Sequence, residues 1–127
     1  VHFGNFIGET LRIADEVGME EVTLGIMIGK AVKLAEGHLD THSKKVVMNK
    51  SFLKQVAMEA GCSNEARSVI DGLTLARELW NQLSTDDAFR FFSKLMEKCY
   101  LHCRPLLPEG KLTIRLMDEE GRIFNQD

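Results

Sequence analysis

Residues 22–28 read Val22-Thr23-Leu24-Gly25-Ile26-Met27-Ile28, an apolar run that follows Glu20-Glu21 and stops at Gly29. Its length suits a buried strand better than a helix, because helices generally need about ten residues or more. A helical pattern precedes it from about Gly8 to Val17, and Gly18 can close that helix. A helix, a short turn and a buried strand in this order are typical of a parallel sheet covered by helices.

The middle of the chain is predicted to be helical. We expect a short helix from Gly29 or Lys30 to Glu36, a helix over about Asn49–Ala60, a long helix with Asn64 as its N-cap that continues to Leu83, and a helix that Thr85 caps and Pro105 limits. Between the first two, His38 to Lys45 is predicted to be a polar loop.

The tail changes its period from helical to alternating. Leu112, Ile114 and Leu116 alternate with polar residues, which predicts a strand with one buried face. Asp118 to Gly121 is a turn signal, and Arg122 to Phe124 can return as a short hairpin strand. The sequence therefore predicts one helix-rich α/β domain over residues 1–127, with a small, mostly parallel sheet and a C-terminal hairpin.

Composition limits the cellular setting. The net charge is −3 and the basic residues form no long run, so the sequence does not predict a nucleic-acid partner. No apolar run approaches the roughly 20 residues that cross a bilayer, and the start is not a signal peptide. The three cysteines have no disulfide spacing, so we expect reduced thiols in the cytoplasm. Because the chain lacks an initiator Met, we expect a piece of a larger polypeptide.

Two glycines and a lysine stand at the end of the predicted buried strand. Gly25 and Gly29 permit close backbone approach, and a helix beginning at Lys30 presents free N–H groups to an anion. Lys33 shares a helix face with Lys30. A phosphate loop does not fit, because the glycines enclose too few residues and Ala31 replaces the hydroxyl that binds magnesium. The alternative is that the glycines only allow tight packing of strand and helix.

The predicted loop after this helix concentrates polar groups. His38, Thr41, His42 and Ser43 can donate hydrogen bonds to carboxylates or carbonyl oxygens, and a histidine can act as a base. A metal site at the two histidines would need a helix to align them, and Gly37 is expected to end that helix first. The alternative is a hydrated loop in which Thr41 or Ser43 caps the next helix.

Other chemistry has weaker support. Cys99 and Cys103 could ligate a metal together with Cys62 and a histidine. We favour the alternative that these cysteines are buried in the core, because cysteine is often simply buried. The sequence contains no hydrolase elbow, zincin or redox dithiol motif. An interaction domain that uses an exposed Phe91-Phe92 face is a further hypothesis, which burial of these rings would exclude.

Three strings carry a family resemblance: Asn5-Phe6-Ile7-Gly8, then residues 24–37 with their Gly-Lys-x-x-Lys-Leu-Ala-x-Gly pattern, then Thr41-His42-Ser43. They resemble the C-terminal half of the cobalt-precorrin-5B C1-methyltransferases of anaerobic cobalamin biosynthesis, in order along nearly the whole chain. The resemblance implies methylation of a cobalt-bound tetrapyrrole at C1, with S-adenosylmethionine as the donor and with an N-terminal domain of the same polypeptide as partner.

The resemblance also implies roles for individual residues. His42 is the expected base, and Asn5 and Gly8 are the expected cofactor contacts. The expected substrate ligands, which suit a ring of carboxylates, are Gly25, Gly29, Lys30, Lys33, His38, Thr41 and Ser43. No metal ligands are predicted.

The chain departs from the family pattern at two places. Relatives usually have a histidine near Met27, and polar residues follow Thr-His-Ser where this chain reads Val46-Val47-Met48-Asn49-Lys50. These losses lead to an alternative hypothesis, a non-catalytic module that binds a carboxylated tetrapyrrole or a pathway partner.

Overall fold

The computed structural model describes residues 7–37 and 49–124. Within these ranges the elements, in chain order, are α1 Ile7–Glu16, β1 Glu21–Met27, α2 Ile28–Ala35, α3 Lys50–Glu59, α4 Asn64–Asp71, a 3₁₀ turn Ala76–Glu78, α5 Leu79–Gln82, α6 Thr85–Cys103, a 3₁₀ turn Arg104–Leu106 and β2 Lys111–Met117. No helix in these ranges is both long and apolar enough to cross a membrane.

The two strands form a parallel sheet, as the sequence predicts. The register runs without interruption from the pair Glu21–Lys111 to the pair Met27–Met117. After β2 the chain turns back and makes an antiparallel bridge between Met117 and Ile123, which confirms the C-terminal hairpin. The α/β fold class is therefore confirmed.

The helices cover one face of this sheet. Alternate side chains of both strands are buried there, and α2 packs against α6 behind them. Phe91 and Phe92 of α6 are fully buried, so the hypothesis of an exposed aromatic interaction face is wrong. Cys99 donates from its thiol to the carbonyl oxygen of Ala31 at 3.2 Å, which joins α6 to α2 inside the core.

The long helix predicted over 64–83 is wrong. Gly72 ends α4, and the carboxylate of Glu78 accepts hydrogen bonds from the N–H groups of Thr74 and Leu75 at 2.8 and 2.6 Å, which starts a new turn. The helical period continues across the break because Leu73 and Leu79 are buried in the same core. A periodicity argument therefore joins segments that the backbone separates.

The predicted N-caps are each one residue too late. Ser63 rather than Asn64 is the N-cap residue of α4, although its side chain makes no capping hydrogen bond. Ser84 rather than Thr85 caps α6, where its hydroxyl accepts from the N–H of Asp87 at 3.2 Å. The Asp87 carboxylate then accepts from both the hydroxyl and the N–H of Ser63. This buried carboxylate therefore ties the starts of α4 and α6 together.

We predict that Asp87→Asn destabilises the fold by about 1–3 kcal/mol, because a neutral amide accepts these hydrogen bonds less well. The Ser63 hydroxyl, followed by the Ser63 N–H, lowers the pKa of Asp87 in the folded state. A lowered folded-state pKa stabilises the fold above the unfolded-state pKa of about 3.9, and this contribution is lost as the pH falls through the folded-state pKa.

Urea unfolding at several pH values measures this effect. The stability difference between wild type and Asp87→Asn should be full at pH 6 and should shrink toward pH 3. Asp86→Asn is the matched control, because Asp86 is exposed in the same helical turn. A pH-independent difference would contradict the assignment.

Candidate functional site

A cleft of about 300 Å³ lies beyond the carboxyl ends of β1 and β2. Three parts of the chain line it: Met27 to Lys30, then Leu75, Ala76, Arg77 and Trp80, then Met117, Asp118 and Glu119. In open α/β sheets, ligands bind at this end of the strands. The cleft is therefore the candidate site.

One wall of the cleft is the start of α2. Met27 is the N-cap residue, and its side chain makes no capping hydrogen bond. The first N–H groups of any α-helix lack partners within the helix and favour an anion. Lys30 lines the same wall, and its ammonium nitrogen is shielded from solvent. This wall therefore places backbone N–H groups and a lysine side chain side by side.

The two glycines of the predicted motif have different surroundings. A Cβ built on Gly25 would lie 2.9 Å from the terminal methyl of Met117, so this glycine makes room for that side chain on the sheet. A Cβ built on Gly29 would meet nothing within 4 Å, and the position is exposed. The packing explanation therefore fits Gly25, whereas Gly29 leaves the backbone bare at the mouth of the cleft.

The opposite wall is aromatic and basic. Trp80 packs on Phe92 with a 4.7 Å separation of ring centroids, and its buried indole N–H has no acceptor within the described ranges. Arg77 lies beside it and donates to the Glu119 carboxylate at 2.8 Å. Sequence reasoning missed both residues, because it placed Trp80 in the core of a continuous helix.

Asp118 stabilises the hairpin turn after β2 by accepting hydrogen bonds. Its carboxylate accepts from the N–H groups of Glu120 and Arg122 at 2.9 and 2.8 Å, and from Arg122 Nε at 2.7 Å. Burial acts to raise the pKa of Asp118, but the hydrogen bonds from Arg122 and Glu120 outweigh it and lower the pKa. The Asp118 carboxylate is therefore charged at neutral pH and stabilises the turn that lines the cleft.

The predicted site residues separate into three groups. Gly29 and Lys30 line the cleft, whereas Gly25 lies along β1, Lys33 is half-buried in the last turn of α2, and Gly8 is buried in α1. The other predicted residues lie outside the described ranges, namely Asn5, His38, Thr41, His42 and Ser43, as does most of the departure at 46–50. Gly37, with φ +96°, ends α2 next to the His102 ring.

The cysteines lie in or beside the core. Cys99 and Cys103 are buried, and Cys62 is partly buried. Burial raises the pKa of Cys99 strongly and that of Cys103 to about 11, so both thiols stay protonated at neutral pH. Within residues 7–37 and 49–124, no three metal-ligating side chains come together. The structure therefore supports the core interpretation of these thiols.

A sequence profile for the family described as "CbiD, C-terminal domain" matches residues 40–127. The chain belongs to the CbiD family. It is 32% identical over 118 residues to a protein of Prosthecochloris aestuarii, a match that covers 92% of this chain and 32% of the relative. It is 35% identical over 110 residues to one of Priestia megaterium, covering 87% and 30%.

A protein of Thermus thermophilus is 32% identical over 129 residues, a match that covers 96% of this chain and 34% of the relative. All three relatives carry the name cobalt-precorrin-5B C(1)-methyltransferase, and the chain spans about a third of their length. No solved structure matches the chain significantly.

The start of the CbiD profile match falls inside the folded unit. Residue 40 lies between α2 and α3, so β1 and α2 precede the matched range. Nevertheless β1 pairs with β2 along its whole length, and α2 packs against α6. The cleft accordingly takes one wall from before residue 40 and two from after it.

We predict that Gly29→Ala stabilises the fold by up to about 1 kcal/mol, because the added methyl meets nothing and alanine favours a helix. Gly18→Ala is the control, since Gly18 also has free space but a φ of +73° that disfavours alanine. Urea unfolding should show the first variant stabilised and the second destabilised. A destabilised Gly29→Ala would mean that steric need, not an open surface, explains this glycine.

Proposed function

We propose that the full-length protein that carries this segment methylates a cobalt-bound tetrapyrrole precursor at C1 in cobalamin biosynthesis, in the cytoplasm. Family membership and the shared name of the relatives support this proposal. The observation that carries the role of this segment is the cleft, where the uncapped start of α2, Gly29 and Lys30 meet at the end of the sheet. We propose S-adenosylmethionine as the methyl donor.

The proposed role of the cleft is to hold one carboxylate arm of the substrate. A volume of about 300 Å³ is at the lower end for ligand pockets, so it suits an arm and not a whole macrocycle. The first N–H groups of α2 and the Lys30 ammonium donate to the carboxylate. The Trp80 indole beside them offers a further donor and a flat apolar surface.

Methyl transfer mainly requires that the substrate carbon lie in line with the donor methyl group. S-adenosylmethionine supplies that methyl group on a positively charged sulfur. The segment's contribution is then to fix the orientation of the substrate through its carboxylates. His42 is the proposed base, and Lys33, His38, Thr41 and Ser43 are proposed as further substrate donors; Asn5 and Gly8 are the proposed cofactor contacts. The rest of the full-length chain is the proposed partner that completes the site.

One observation favours a second candidate, a binding module without catalysis. Met27 occupies the N-cap of α2 at the cleft, where the family resemblance leads us to expect a histidine nearby. A thioether cannot replace the hydrogen bonds of an imidazole. A protein changed in this way would retain an anion-binding cleft and lose transfer.

We predict that Lys30→Ala in the full-length protein raises the KM for the tetrapyrrole about 10- to 100-fold, because a charge-assisted hydrogen bond is lost. Steady-state kinetics with S-adenosylmethionine and the cobalt precursor measure this. Lys94→Ala is the control, since Lys94 lies on α6 outside the cleft and pairs with Glu97. An unchanged KM for Lys30→Ala would remove the cleft from substrate binding.

We predict that His42→Ala lowers kcat more than it raises KM if His42 acts as a base. The same assay, with tetrapyrrole binding followed by absorbance, separates the two candidates. Binding without any turnover by the wild-type full-length protein would favour the module. Unchanged kcat in His42→Ala would exclude this histidine as the base.

A further inference from the structure

The backbone groups of the sheet follow a strict alternation. The N–H of Lys111 donates to the carbonyl of Glu20 at 2.8 Å, and the register pairs Glu21 with Lys111. In a parallel ladder, alternate residues of a strand direct both backbone groups toward the partner. Val22, Leu24 and Ile26 of β1 therefore bond to β2, and the residues between them point to the opposite edge.

The outer edge of β2 is closed by the chain itself. The hydroxyl of Tyr100 accepts from the N–H of Ile114 at 2.7 Å and donates to its carbonyl at 3.3 Å. The N–H of Phe124 then donates to the carbonyl of Leu116 at 2.8 Å. These contacts from α6 and from the hairpin protect the edge from pairing with another strand.

Among residues 7–37 and 49–124, nothing pairs with the outer edge of β1. The backbone groups of Glu21, Thr23 and Gly25 point away from β2, and no residue in these ranges hydrogen-bonds to them. Protected edges usually carry a bulge, a proline or several charges. This strand has an unbroken register and no proline, and Glu21 is its one charged residue. Such an edge is suited to the addition of a further strand.

The face next to this edge is also left uncovered by the part of the chain that the structure describes. Parallel sheets are normally covered on both faces, whereas the helices here cover one. Met27 is 42% exposed, and its cross-strand partner Met117 is half-buried beside it. Methionine pairs pack well against partners of varied shape. The edge and the face therefore both fit a covering element from outside the described residues.

The length of the relatives indicates where in the full-length protein the covering element lies. The chain spans about a third of them, and the family profile named for a C-terminal domain starts after β1. The part that precedes residue 40 thus already gives one strand to this sheet. We propose that the outer edge of β1 pairs with a further β-strand from the polypeptide that precedes this segment in the full-length protein. The proposal does not depend on methyl transfer.

Hydrogen exchange in the full-length protein, resolved to single amides, tests this with an internal control. The amides of Leu24 and Ile26 bond to β2 and should be protected in any case. If a strand is added, Thr23 and Gly25 should be protected to a similar degree, on the order of 100-fold or more. If the edge is free, these two amides exchange near the rate of an unfolded chain, and the proposal is overturned.

A proline variant tests the same edge by removing a donor. Thr23→Pro in the full-length protein should lower protection at Gly25 at least about tenfold, while Thr23→Ala, which keeps the N–H, should not. Sedimentation of the full-length protein identifies the source of the strand. Protection at Gly25 that depends on protein concentration would assign the edge to a second copy and overturn the proposal. Protection at all concentrations in a monomer would support it.

Discussion

The parallel pairing of β1 with β2 is the contact on which the rest of the structure depends. It joins residues separated by most of the chain, and its register sets Met27 beside Met117 at one end of the sheet. Because both strands end there, the start of α2 and the hairpin turn after β2 are brought to the same place. The cleft is a direct result of this register, and a slip of one strand by one residue would turn the buried side chains of that strand to the other face.

The connection between the strands explains why the described helices cover only one face of the sheet. Parallel strands need a crossover, and here α2 to α6 form it and lie on one face. Tyr100 on α6 contributes to the core and to the sheet. Its ring packs against the core, and its hydroxyl closes the outer edge of β2. No equivalent residue within the described ranges closes the edge of β1. The difference between the two edges of the sheet therefore follows from the order of the elements along the chain.

The sequence predicts the parts of this fold that follow from local patterns. The buried run at 22–28 and the alternation at Leu112, Ile114 and Leu116 identify both strands, because strands have a period of two and a limited length. The break after Gly72 was not predictable from period, since the apolar residues on both sides reach one core. The hydrogen bonds from the Thr74 and Leu75 N–H groups to the Glu78 carboxylate set the backbone conformation at the break. These bonds leave no trace in the spacing of apolar residues along the sequence.

The same limit applies to the candidate site. Gly29 and Lys30 were predictable as cleft residues, because they directly follow a buried strand; their role in anion binding stays a prediction. Arg77, Trp80 and Asp118 were not, because they reach the cleft through the Gly72 break and the hairpin. Sequence spacing carries no information on such distant neighbours. The unpredicted half of the cleft comes from long-range contacts, and the predicted half comes from one continuous stretch.

Met27 links the cleft to the outer edge of β1. Its carbonyl accepts the first hydrogen bond of α2 and its N–H lies on the outer edge of β1, while its side chain is exposed next to Met117. A residue with a hydrogen-bonding side chain at this N-cap would compete with a ligand for the first N–H groups of the helix. The Met27 side chain makes no such bond and presents an apolar surface instead. Under the proposed function, recognition of an anion at this point rests on backbone groups and Lys30 and not on the side chain of residue 27.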